Sequence, residues 1–296
     1  MEGTVDGFSY GLVTPVVAYL MACLGGALGL RCTTRSLLVE HSWRPGWLAL
    51  GSAAIGSGIW TMHFIAMMGF TVQETPIHYD RATTFASLAV AIVMVGIGIF
   101  IVGYRGAGGT ALFTGGTITG LGIATMHYLG MAGMRLGGRL EYNTLTVAAS
   151  VVIAVVAAIA ALWAAGQVRG FLWSLGASMV MGLAVSGMHY TGMAAVSVHL
   201  HSTPEAPSEG ASAELLAPLM IGPLVFLLLA GVIVMFDPLM MLGKADLRKA
   251  AARSRPHPSY VPRSGDRLYG HVGRRAPVRP GRRVRRRPGA RAPQKW

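Results

Sequence analysis

Three stretches of this chain place a histidine among methionines at one repeated spacing. Met62-His63-Phe64 is followed by Met67, Met126-His127-Tyr128 by Met131, and Met188-His189-Tyr190 by Met193. A glycine stands seven residues before each histidine, at Gly56, Gly120 and Gly182. Chance placement of 17 Met and 9 His predicts roughly 0.5 adjacent Met-His pairs. Three occur, each with the further Met, so the unit is duplicated. Imidazole with thioether and no carboxylate is a soft donor set: it favours copper, Cu(I) above all, over magnesium or calcium, and suits zinc less. Neutral imidazole also binds a cation without a compensating acid. The candidate metal ligands are therefore Met62, His63, Met67, Met126, His127, Met131, Met188, His189 and Met193. Tyr128 and Tyr190 are candidates to orient an imidazole through their hydroxyls; Phe64 has none. Other uses of the same residues stay open at this point: a hydrogen-bonded packing layer or a proton or ion path. Haem is a variant of the metal reading, because His and Met both serve as axial ligands.

The elements that must carry these residues are membrane helices. An apolar stretch of 18 or more residues can cross about 30 Å of hydrocarbon. Seven such stretches run at about 10–30, 46–70, 83–104, 110–134, 144–165, 172–198 and 215–236. The histidines are 64 and 62 residues apart, the length of a helix pair with its loops. The expected fold is all-α and integral to a membrane, with seven transmembrane helices: one leading helix plus three two-helix repeats. The motifs fall on the second, fourth and sixth spans, which run in one direction. Each histidine lies seven to nine residues before its span ends, roughly 10–14 Å, so the three should share one layer. On each helix the i, i+4 relation stacks His63 over Met67, His127 over Met131 and His189 over Met193.

Charge sets the orientation. The chain of 296 residues is only 12% charged, yet its net charge is +13 and its mean hydropathy +0.52. Residues 1–236 hold 8 basic and 9 acidic residues, and residues 237–296 hold 17 and 3. Basic residues favour the cytoplasmic side. With the N-terminus outside and the C-terminus inside, Arg31, Arg35, Arg44, Arg105, Arg169 and the basic tail are cytoplasmic, and only Arg81, Arg135 and Arg139 face out. This divides the chain into an extracytoplasmic N-terminus (1–9), a seven-helix domain (10–236) and a basic cytoplasmic tail (237–296). The tail is rich in Arg, Pro and Gly, which reads as disorder. Its expected partner is the anionic lipid headgroup rather than nucleic acid. The N-terminus lacks the basic region of a secretory signal. His78, His199 and His201 fall in outer loops; the pair at 199 and 201 is either a metal-capture point or a solvated loop. Cys23 and Cys32 read as packing residues.

The three Met-His-aromatic copies resemble the MHYT domain, a bacterial integral-membrane sensory module, over roughly residues 8–236. The resemblance implies copper held near the outer membrane face by the Met, His and aromatic positions quoted above, and a response to a diatomic gas (O2, CO or NO). The departures are Phe64 in place of Tyr, and Ala66 where the other copies have Gly130 and Gly192. Many relatives continue into a cytoplasmic cyclic-dinucleotide output domain; after Asp237-Pro238 no phosphate loop, carboxylate pair or Ser/His/Asp set is seen. The expectation is a multi-pass sensory protein of the bacterial cell membrane, not an enzyme, reading gas or redox state and signalling to a cytoplasmic partner. A copper or ion transporter is the rival. The Gly, Ala, Ser and Thr below the motif layer count against transport, and the lack of an acid/base pair counts against catalysis.

Overall fold

A computed structural model of the chain describes residues 3–7, 9–167, 171–200 and 211–237. The tail from 238 onward, Arg169 and His201 lie outside the described residues. Within them run seven helices: α1 (Val13–Ser36), α2 (Arg44–Met68), α3 (Arg81–Arg105), α4 (Gly109–Ala132), α5 (Thr144–Gln167), α6 (Phe171–Met193) and α7 (Ala211–Met235). Local chemistry sets several ends. Pro45 sits in the first turn of α2, where a missing N–H costs nothing. Asp80 caps α3 by accepting from the Thr83 amide, and Asn143 caps α5 by accepting from the Leu145 and Thr146 amides. Gly106 ends α3 at a φ of 90°, a conformation that favours glycine.

Helices α1 to α6 pack in chain order as a ring, closed by contact of α1 with α6, and α7 lies outside against α2 and α1. The glycine seven residues before each histidine is what lets the ring close tightly. A methyl group at Gly56 would meet Ile92 of α3 at 2.8 Å, one at Gly182 would meet Cys23 of α1 at 2.6 Å, and one at Gly120 would run into Val155 of α5. The residue preceding each contact is a buried alanine: Ala91, Ala22 and Ala154. So α1 holds beside α6 the place that α3 and α5 hold beside α2 and α4. The expected grouping of a leading helix plus three pairs is thus regrouped in space. The reason is bulk: Gly25 of α1 approaches Gly58 of α2, and Gly26 faces Ser178 of α6. On α7, Gly222 meets nothing within 4 Å and Gly231 only Leu28 at 4.0 Å. A buried ion pair, Arg35 Nε to Asp237 Oδ2 at 2.7 Å, ties the end of α1 to the residues after α7.

Among the described residues, five helices (α1, α2, α3, α5 and α7) are long and apolar enough to cross a membrane. The exposed faces carry large apolar residues such as Val93 and Ile97 on α3, Val152, Val156 and Trp163 on α5, and Leu228 and Val232 on α7. Faces of this kind belong against lipid. This is a membrane protein.

Above the histidine end of the ring the connections form three antiparallel ribbons. They are β1 (Val5–Asp6) with β2 (Thr71–Val72), β3 (His78–Tyr79) with β4 (Met134–Arg135), and β5 (Gly138–Tyr142) with β6 (Val196–Leu200). The Gly3 amide donates to the Val198 carbonyl at 2.8 Å, so the N-terminal segment links the first ribbon to the last. These strands were not part of the all-α expectation. They also shorten the motif helices: His63 and His127 lie five residues, and His189 four, before their helices end. That is about 6–8 Å rather than 10–14 Å, because residues 196–198, counted with the sixth span, belong to β6.

Candidate metal centre

His63, His127 and His189 come from α2, α4 and α6 and meet on the axis of the ring, 1%, 0% and 1% exposed. Their Nδ1 atoms face one another at 3.1 Å (His63 to His189), 3.2 Å (His127 to His63) and 3.4 Å (His189 to His127). The point equidistant from three such atoms is about 1.9 Å from each, close to the roughly 2.0–2.1 Å of a metal–imidazole bond. Each ring nitrogen is either an N–H or a lone pair, so among three that face each other at least two must be alike. A cation between three lone pairs resolves that conflict. The C-terminal ends of α2, α4 and α6 lie within about a turn and a half, carry no basic residue in the last turn, and present the negative end of each helix dipole. Among the described residues this is the one group of three or more His, Cys, Asp or Glu side chains close enough to share a metal ion.

The outer edges of the imidazoles are shaped by the next motif helix. A Cβ at Gly130 of α4 would lie 2.6 Å from His63 Nε2, and one at Gly192 of α6 would lie 2.5 Å from His127 Nε2. Both Nε2 atoms are buried with no hydrogen-bond partner among the described residues. The equivalent position on α2 is Ala66. There a cavity of ≈ 360 Å³ opens beside His189, lined by Ala66, Met67 and Met193 and by Val5 and Gly7 of the N-terminal segment.

The aromatic residue after each histidine touches it through its ring. Phe64 and His63 lie 4.6 Å apart between centroids, Tyr128 and His127 4.8 Å, and Tyr190 and His189 4.9 Å, all edge to face. Phenylalanine makes this contact as well as tyrosine. The Tyr128 hydroxyl pairs with Ser150 Oγ of α5 at 2.6 Å, so it braces α4 against α5. Of the methionines, Met62, Met67, Met126, Met131 and Met188 are buried and Met193 is half-buried. Met67 and Met193 line the cavity beside His189, whereas Met188 lines a different cavity beneath the histidines. The geometry thus unites the three imidazoles and, of the motif methionines, places Met67 and Met193 with His189 around one cavity. Sequence reasoning passed over the glycine three residues after His127 and His189 as a close-packing position, although the Gly130/Gly192 repeat was visible. Of the outer histidines, His199 Nε2 lies 3.2 Å from Glu141 Oε2 across the β5–β6 ribbon, and His78 is exposed in β3.

Fold and site together define a membrane-embedded helical ring around a buried histidine triad able to hold a metal ion. The chain matches the MHYT family, described as the bacterial signalling protein N terminal repeat, over residues 56–115, 120–178 and 182–245. It belongs to this family. It is 36% identical over 218 residues to the bifunctional diguanylate cyclase/cyclic di-GMP phosphodiesterase MucR of Pseudomonas aeruginosa, covering 72% of this chain and 32% of that protein. It is 34% identical over 209 residues to the cyclic di-GMP phosphodiesterase NbdA of the same organism, covering 66% and 26%. The signaling protein YkoW of Bacillus subtilis is 28% identical over 203 residues, covering 66% and 25%. The chain therefore spans a third or less of the length of these relatives. No solved structure matches it.

Proposed function

We propose that the chain is a sensory unit of the bacterial cell membrane that holds copper on His63, His127 and His189 and signals a change at that site. The carrying observation is the triangle of buried Nδ1 atoms with sides of 3.1 to 3.4 Å. Three neutral nitrogens in a trigonal array, with thioethers nearby and no carboxylate, suit Cu(I); zinc in a structural site wants four tetrahedral ligands. The methionines of the motif are the candidates to complete the shell, Met67 and Met193 foremost. Seven spans with the N-terminus outside put the triad close to the outer face. A diatomic gas or a redox change is the input. Because the three ligands come from three different helices, altered ligation shifts α2, α4 and α6 relative to one another. A cytoplasmic partner, with the basic tail on anionic lipid, is the route onward; the cyclic di-GMP enzymes among the relatives suggest the chemistry of that partner.

The test is metal content of the purified full chain from copper-replete cells, beside a His63/His127/His189→Ala variant. The expected result is about one copper per chain in the parent and none in the variant. No metal in the parent overturns the copper reading, and equal metal in both moves the site elsewhere. Copper flux into liposomes separates the sensor from the transporter.

A further inference from the structure

Beneath the histidine layer lies a second cavity, of ≈ 490 Å³. Its lining follows the repeat. Ile59, Ile123 and Val185, each four residues before a histidine, line it. So do Leu30, Ile99 and Leu162, which stand eight residues after the equivalent alanines Ala22, Ala91 and Ala154 of α1, α3 and α5. A cavity bounded by both sets is coaxial with the triad. It exists because α5 is pared down on this side: Ala158 and Ala165 stand where α3 has Val95 and Val102.

The far end of the cavity is cationic. Arg44, at the start of α2, and Arg105, at the end of α3, both line it. Arg44 is held there by a hydrogen bond to the Gly103 carbonyl and by the Tyr104 ring, 5.1 Å from the guanidinium carbon. Its Nε is buried and unpartnered, and among the described residues no carboxylate forms an ion pair with either arginine. Between the ends the wall is apolar apart from a few hydroxyls. Thr119 is one of them; it is 5% exposed, and its Oγ1 has no partner among the described residues. The apolar stretch of the wall offers water few hydrogen-bond partners, and leaving it empty forfeits the dispersion contacts of its lining. Its volume lies within the roughly 300–1,000 Å³ of small-molecule sites.

We infer that this cavity binds a long-chain fatty acid, its carboxylate at Arg44 and Arg105 and its chain running up the axis toward Ile59, Ile123 and Val185. The inference does not rest on copper. It gives the triad a neighbour: an acyl chain ends one helical turn below the histidines and packs on the three helices that carry them.

Equilibrium binding of radiolabelled palmitate to the full chain in nanodiscs tests it, with hexadecanol as the uncharged control. One saturable palmitate per chain is expected. Ala158→Phe and Ala165→Leu, which fill the cavity from two positions, should each weaken palmitate binding at least about tenfold. Arg44→Gln with Arg105→Gln should weaken palmitate by a similar factor but leave hexadecanol within about twofold. Palmitate binding unchanged by either filling variant overturns the proposal, as does an equal loss of palmitate and hexadecanol in the arginine variant. Mass spectrometry of the purified protein separates sources: a free single-chain acid supports the proposal, and a bound two-chain phospholipid overturns it. Thermal unfolding measured on the same samples tells a collapsed bundle from a filled cavity.

Discussion

At two of the three junctions between motif helices a glycine lies against an imidazole, and at the third an alanine takes its place. Gly130 backs His63 and Gly192 backs His127, each with no room for a methyl group. Ala66, at the equivalent position on α2, shares with His189 a cavity that the N-terminal segment covers. One extra methyl group in a duplicated unit has therefore gone together with a gap between α2 and α6, and with a strand, β1, bound across it. The difference teaches that the triad has two closed walls and one open wall. Of the three imidazoles, His189 is the one beside which a small molecule has space.

The largest effect should come from making the closed junctions like the open one. Gly192→Ala and Gly130→Ala put a methyl group 2.5 and 2.6 Å from an Nε2 atom, so an imidazole must leave the triangle. Copper affinity, measured by competition with a chelator, should fall about 10- to 100-fold, the usual cost of disturbing the groups behind a metal ligand. Unchanged affinity in both variants would show that the two walls are not rigid. A smaller effect concerns the cover of the third junction. Thr4 donates its amide to both carboxylate oxygens of Glu74, at 2.9 and 3.1 Å, and these bonds hold the Glu74 carboxyl below its ordinary range. A depressed carboxylate stabilises at neutral pH and loses that contribution as pH falls through its folded-state value. Amide exchange at Thr4 should therefore quicken on going from about pH 7 toward pH 3 once intrinsic exchange is allowed for. In Glu74→Gln that pH dependence should vanish. The smallest effect should be that of Ala66→Gly, which makes the open junction like the closed ones. It should cost about 0.5–1 kcal/mol in helix stability, read by thermal unfolding, and leave the copper stoichiometry as it is. A loss of copper there would mean that Ala66 supports His189 rather than merely leaving space beside it.

The helices were legible because length and apolarity alone decide them: every one lies within a few residues of its expected span. The main extension is α1, which runs past Leu30 to Ser36 because Arg31 and Arg35 continue the helix. A layer of histidines was legible too, since three equal motifs on parallel helices must come to one depth. What sequence does not hold is lateral. Nothing in the repeat says that Nδ1 rather than Nε2 points inward, or that α1 and not α7 closes the ring. Those outcomes depend on Gly25 meeting Gly58 and on Gly130 meeting His63, contacts between residues distant in the chain. The two-residue strands are too short to announce themselves. Val196-Ser197-Val198-His199-Leu200 does alternate as a strand should, but its apolar residues merged with those of the preceding helix.

Ring closure by α1 sets an order of events during synthesis. His63 and His189 are 126 residues apart, roughly 6–25 s at 5–20 residues per second. Through that interval the first helix must wait beside α2 for α6, and the first histidine has at most one companion. A metal that needs all three imidazoles cannot be held by a half-made chain. Under the proposed function, loading would then be the last act of assembly, and a filled site would certify that six helices have met in the right order.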